Sequence, residues 1–388
     1  MSGERFTAFL RFCFAVKFLP KRTKKIRKAS VLAMKKIISL GLILFSISFT
    51  FAQDVPPKPL TQAEYVKMLY DFQKNPGKKD ELIEAIRRRG IAFELTDGLR
   101  GLTVSKSRSD ADLRRTLEEA ARRKADPERA KLPSEKEAAE VLAKARTATL
   151  AALEEMPDFV VKQQIARSAA YACTNNFRSL DRLVVAVSYR AEGREEYRVL
   201  SRNGVLETNA QAKQSYEEVG GTSSTGEFVT VLAKIFNPES DTKFELADTD
   251  LIRNHRALVF DYLIERDKAK QIIVAAGAYD DTAITGMKGR VWIDRETFRV
   301  LRVESAATEI PEGFRVRAAN RTIDYDWVTI ADEKYLLPLL SDVRLTSRED
   351  RRTFETRNVI RFKDYQKYGS EVKILDDDQE MPEEKPQN

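Results

Sequence analysis

Histidine is nearly absent: the chain of 388 residues has one, His255. That scarcity removes most catalytic and metal-binding templates, because triads and zinc centres draw heavily on imidazole. His255 stands in Arg253-Asn254-His255-Arg256, among cations and with no Cys or carboxylate set at ligand spacing, so it reads as a surface-turn residue. Cysteine is equally sparse, with only Cys13 and Cys173. Once the front of the chain is removed, Cys173 stands alone and the mature monomer has no internal disulfide to stabilise it. The phosphate-loop ending GK[ST] is missing after the Gly-rich stretch at 220–228. That stretch also lacks the second glycine of a G-x-S-x-G elbow, since Thr225 stands in its place. No pair of carboxylates such as Asp294, Glu296 and Glu304 is marked by spacing as an acid and base, so neither a catalytic residue, a metal ligand nor a cofactor is assigned.

Long apolar runs are also missing, with one short exception. From Met34 the sequence reads MKKIISLGLILFSISFTFAQ: two lysines, an uncharged apolar run to Phe51, then Thr50 and Ala52 in a small-x-small pattern before Gln53. This is the layout of a secretory signal peptide, 34–52, and the run is short for a membrane span of about 20 residues. No Cys follows it, so it is not a lipoprotein signal. An uncleaved anchor is the alternative, and peripheral membrane contact is a separate expectation. Residues 1–33 form a basic extension upstream of a second candidate start at Met34.

The net charge of +7 invites a nucleic-acid reading, but residues 1–52 hold eleven Lys or Arg against Glu4, a net +10 that leaves −3 for the remainder. A mildly acidic mature chain gives no electrostatic footprint for nucleic acid. The chain is expected to be exported and periplasmic.

Two textures follow. Residues 58–124 read as a small helical module: Thr61 with Glu64 makes a capping box, and Tyr65, Met68, Leu69 and Phe72 recur at helical spacing. Gly90 ends a second helix, and Asp110 to Arg123 supplies the last. The module is a docking or packing unit for a protein partner. From Ser134, paired with Glu137 in a second capping box, a long helix runs to about Glu155, and then strands dominate to Leu375. Ten or so strands spaced as an antiparallel meander are interrupted by one helix from about Phe228 to Phe236, with Ser224 or Thr225 as its N-cap. Residues 376–388 are acidic and read as a disordered tail.

One stretch organises the strand region. GRVWIDRETFRVLRVE, 289–304, is written as a hairpin with a turn at Asp294 to Thr297. Val291 and Ile293 share one face, Leu301 and Val303 are expected to share one face, and Trp292 lies opposite the aliphatic pair. Aromatic residues on or near the strands, Phe228, Phe236, Phe244, Phe260, Tyr262, Trp292, Tyr325 and Trp327, are candidates to line an apolar cavity, and an ordinary β-core is the plain alternative.

The region 134–375 resembles the outer-membrane lipoprotein carrier superfamily, which includes the lipoprotein-sorting proteins and a related envelope-stress regulator. The resemblance rests on the signal peptide, the long helix before the first strand, GRVWIDRETFRVLRVE, DYDWV (324–328) with YLLP (335–338), and FKDYQKY (362–368). It implies an α+β fold in which a strongly curved antiparallel half-barrel wraps covering helices, preceded here by the small helical bundle. It also implies a non-enzymatic envelope protein that shields a lipid, a lipoprotein acyl chain or another apolar ligand. The alternative is a protein-interaction or sensory module without lipid cargo, and a hydrolase is the least supported reading.

Overall fold

The computed structural model describes residues 9–11, 58–128, 131–172, 174, 176–190, 194–206, 221–276, 281–349 and 352–368. The expected signal peptide, Cys173 and the acidic tail lie outside these residues. The strand β1 is Phe9–Arg11. The helical module follows as α1 (Gln62–Lys74), α2 (Lys79–Arg89), α3 (Asp97–Ser107) and α4 (Ala111–Ala125). The capping box at Thr61 and Glu64 forms in both directions, and Asp110 caps α4. Tyr65, Leu69, Ile86, Leu113 and Leu117 close its core, and the Tyr65 hydroxyl meets Thr103 at 2.6 Å.

The long helix α5 (Glu135–Glu154) is capped by Ser134, which accepts from the Glu137 amide. After it come β2 (Phe159–Tyr171), β3 (Arg178–Arg190), β4 (Arg194–Arg202), β5 (Val205–Leu206) and β6 (Thr222–Ser223). Helix α6 (Thr230–Phe236) precedes β7 (Lys243–Ile252), β8 (His255–Ile264), the one-turn α7 (Arg266–Ala269) and β9 (Gln271–Ala276). The chain ends in β10 (Asp281–Asp294), β11 (Val300–Thr308), β12 (Val316–Ile330), β13 (Glu333–Glu349) and β14 (Arg352–Lys367). In space the order is β5-β4-β3-β2-β14-β13-β12-β11-β10. The far side of β10 is shared, with β9 along Asp281 to Thr285 and the β8–β7 pair along Met287 to Asp294. The sheet is open and its ladders are antiparallel except for a short parallel pairing of β1 with β6. This is the expected α+β plan.

Curvature follows from one short segment. The Phe228 ring lies 5.2 Å from Phe159 on β2 and 6.1 Å from Tyr189 on β3, and Phe236 stacks 5.9 Å from Phe244 on β7. Laid flat, β3 and β7 would stand about 38 Å apart at ~4.8 Å per strand. The largely helical stretch between the two rings spans on the order of 15 Å. The sheet must therefore curl around it. Two apolar clusters fill the concave side, one on β8 and β10–β12 and one on β2–β4, β13 and β14, and Leu153 of α5 packs against both.

The hairpin at 289–304 adds two details. Val291 and Ile293 face the concave core, as expected, and Trp292 faces outward. Leu301 and Val303 do not share a face. The register slips between Trp292 and Ile293, so that Ile293 pairs with Val300 while Trp292 pairs with Arg302, and the extra residue sends Leu301 outward beside Trp292 while Val303 stays inside. At the turn, Asp294 Oδ1 accepts from the amides of Glu296 and Thr297, and Phe298 takes a positive φ of 59°. Gly289 is required by a close approach: a Cβ there would lie 1.9 Å from the Glu304 carbonyl oxygen, over which the Tyr262 hydroxyl donates at 2.9 Å.

The helical module sits on the convex side, over Trp292. The Trp292 Nε1–H donates to Asp250 at 3.0 Å, and the Arg115 guanidinium lies 5.0 Å from its ring centroid. Around it Arg87 and Arg123 pair with Asp248, Arg122 with Asp250, and Arg115 with Glu304. Glu119 of α4, whose side chain is 2 % exposed, accepts from Arg122, Arg256 and Thr249. Burial alone would raise its carboxyl, but these donors hold it below the usual range. Removing one partner from such a buried network leaves charges uncompensated, so Glu119→Ala is expected to cost roughly 3 kcal/mol and to raise amide exchange in α4. Lys124→Ala, which breaks a pair to the 85 % exposed Glu94, should change stability by less than about 0.5 kcal/mol. Equal effects of the two in chemical denaturation would contradict this picture of the interface.

Candidate functional site: a concavity occupied by its own segment

Of the eight aromatic candidates, the structure brings six to the concave side. Phe236, Phe260, Tyr262 and Tyr325 belong to the cluster on β8 and β10–β12, and Phe244 packs against it. Phe228 belongs to the neighbouring cluster and touches Phe159, Tyr189 and Phe362 through ring contacts of 5.2 to 6.1 Å. Trp292 lies on the opposite face under the helical module. Trp327 is 44 % exposed, with the Arg299 guanidinium 5.9 Å from its ring. The concavity is filled in this state, chiefly by Phe228, α6 and α5.

The stretch before α6 differs from its expected role. The helix begins at Thr230 after Val229, which makes no side-chain cap, so neither Ser224 nor Thr225 is an N-cap. Those residues are engaged by the sheet instead. Ser305, Arg321, Val343, Asn358, Arg167 and Asp181 are consecutive register partners on β11, β12, β13, β14, β2 and β3, and all are buried. A band that is mostly polar thus crosses the concave face, and residues 221–228 lie along it. Asn358 Nδ2 donates to the Thr222 carbonyl, and the Thr222 and Thr356 hydroxyls meet at 2.7 Å. Arg321 Nη1 donates to the Thr225 carbonyl at 3.1 Å and lies 3.6 Å from Glu227 Oε1, with 1 % and 0 % of the two side chains exposed. Ser224 donates to Glu227, the Gly226 amide donates to Glu195 at 3.0 Å, and the Tyr325 hydroxyl donates to the Glu227 carbonyl at 3.3 Å. Gly221, at φ 84°, passes so close to Arg167 that a Cβ would sit 2.8 Å from Nη1.

Some polar atoms in this interior have no hydrogen-bond partner: both amide atoms of Gln163, the Ser341 hydroxyl and Glu227 Oε2. Gln163 lies between Phe362 and Val185 in register, and Ser341 between Ile360 and Ile323. Each such atom costs about 1–3 kcal/mol when shut away from water without a partner. Sequence reasoning missed this band because its members are far apart in the chain. A signal was present in β2, where Gln163 and Arg167 interrupt the inward series Phe159, Val161, Ile165.

The electrostatics are those of charges sharing little solvent. Burial pulls the Asp181 carboxyl up, but Arg167 at 2.6 Å through both oxygens, together with Arg202, holds it below the ordinary range. Burial, with Arg321 and Lys270 nearby, pushes the Lys234 ammonium down to about 8. Tyr262 and Tyr325 are raised by burial. Glu195 rises to about 7: burial is the main cause, the Tyr197 hydrogen bond opposes it, and the Glu227 charge adds to it. The folded chain therefore keeps a proton that the unfolded chain, at 4.5, has released. Stability should fall by at most about 3 kcal/mol as pH rises from about 4.5 to about 7, then level off. Denaturant midpoints across pH 4 to 8 should show that decline in the native chain and lose it in Glu195→Gln; an unchanged decline in the variant would assign the effect elsewhere.

No family model matches the chain, and no curated protein matches it. Among solved structures, a DUF1329 family protein from Desulfovibrio piger is 8 % identical, over 59 % of this chain and 93 % of that one, with a TM-score of 0.26. The MucA/MucB complex of Pseudomonas aeruginosa contains a chain 9 % identical, over 58 % and 94 %, with a TM-score of 0.17. These overlaps are slight, so what the chain does is read from its own residues.

Proposed function

We propose that this chain is a non-enzymatic exported envelope protein that binds an apolar ligand, a lipid or a lipoprotein acyl chain, in the concavity of its curved sheet. The observation that carries the reading is that residues 222–236 already fill that concavity while fully buried Gln163 and Ser341 on its floor keep unpartnered polar atoms. An apolar hollow with a few polar groups is the usual form of an amphiphile site. In this state the segment occupies the place, and ligand entry requires it to leave. Each CH₂ of an acyl chain buried there would gain about 0.8 kcal/mol, which offsets the loss of Phe228 and the α6 side chains from the same surface. The same filling also favours a second reading, a protein-recognition module without cargo, in which the segment never moves.

A reversible tether separates the two. In a Cys13→Ser, Cys173→Ser background, Thr222→Cys with Thr356→Cys places a disulfide where the two hydroxyls now meet. Native mass spectrometry with added long-chain fatty acid should detect the complex with the untethered chain, lose it on oxidation of the pair and regain it on reduction. If the untethered chain takes up no acyl ligand and brings none from its own envelope, the lipid reading fails.

A further inference from the structure

The acceptors that residues 222–227 present to the sheet are the oxygens an anionic head group would present. On the sheet side are donors: the Arg321 guanidinium on β12 and the Asn358 amide on β14. On the segment side are the Glu227 carboxylate and the Thr225 and Thr222 carbonyls. When the segment leaves, Arg321 loses the Glu227 carboxylate and the Thr225 carbonyl together, and Asn358 loses the Thr222 carbonyl. The guanidinium, 1 % exposed while the segment covers it, then lacks the carboxylate and carbonyl that face it from the segment. A carboxylate or phosphate reproduces those two contacts, its oxygens matching the planar guanidinium fork, and a neutral or cationic head group does not. Gln163 and Ser341 supply further polar atoms beneath the same segment.

Resting on the binding function above, we infer that the ligand is an anionic amphiphile whose carboxylate or phosphate head group takes the place of Glu227 against Arg321 and Asn358, with the acyl chain replacing Phe228 and α6. The segment is thus a built-in stand-in for the ligand, polar end and apolar end alike.

The test measures binding of the full chain to four amphiphiles of one chain length: a fatty acid, a monoalkyl phosphate, a fatty alcohol and an alkyltrimethylammonium. Titration calorimetry below the micelle concentration should give at least tenfold tighter binding for the acid or the phosphate than for the alcohol, and weakest binding for the ammonium. Whichever anion binds more tightly identifies the head group, and either result supports the inference. In Arg321→Gln with Glu227→Gln, which removes cation and stand-in together and so leaves no lone buried charge, the anion-to-alcohol ratio should fall to about one. A cooperative melting transition establishes that this variant is folded. Equal binding of alcohol and anions by the native chain, or a ratio that survives in the double variant, overturns the head-group assignment while the acyl-binding reading stands. Binding of none of the four overturns both.

Discussion

A guanidinium buried in the concave face of a curled sheet is the constraint on which the rest of the interior depends. Arg321 sits in an inward position of β12, flanked by Ser305 and Val343 in register, where an apolar side chain would ordinarily stand. Its charge has to be answered from within, and the chain answers it with Glu227 and the Thr225 carbonyl from a segment far from β12 in sequence. That requirement fixes where residues 221–228 run. The placement in turn delivers Phe228 to Phe159, Tyr189 and Phe362, and α6 to the cluster on β8 and β10–β12. Apolar filling of the concave side and polar compensation of the band that crosses it are therefore one event.

The two faces of the sheet use opposite solutions to the same problem. On the concave face, charge is scarce and its carboxylates and cations are matched by a few partners within a mostly apolar volume. On the convex face, the helical module covers Trp292, Val259 and Leu301 through a dense mesh of Arg, Asp and Glu from both sides. The first arrangement is held by a single segment, residues 221–236. The second is held by many mutually dependent pairs, so it tends to stay or go as a unit.

Much of the fold was legible because it is written in short-range periodicity. The Thr61 capping box, the Ser134 cap, the alternation Val291–Ile293 and the Asp294 turn each depend on residues within a few positions of one another. The Leu301 reversal was not legible, since a bulge changes strand parity without leaving a mark in hydrophobic alternation. Trp292 looked like a cavity marker, but its partners Asp250 and Arg115 come from β7 and α4, and nothing local announces them. The polar band was least legible of all, because Arg167, Arg321 and Asn358 are ordinary strand residues until the strand order sets them side by side.

The claim that residues 222–236 hold the place of a ligand is tested most directly by amide hydrogen exchange across that segment, with and without a saturating long-chain fatty acid. Displacement predicts that amides of 222–236 exchange faster in the complex while those of β2, β13 and β14 slow or stay unchanged. Slower exchange in the segment on ligand addition, or none of these changes, would contradict it.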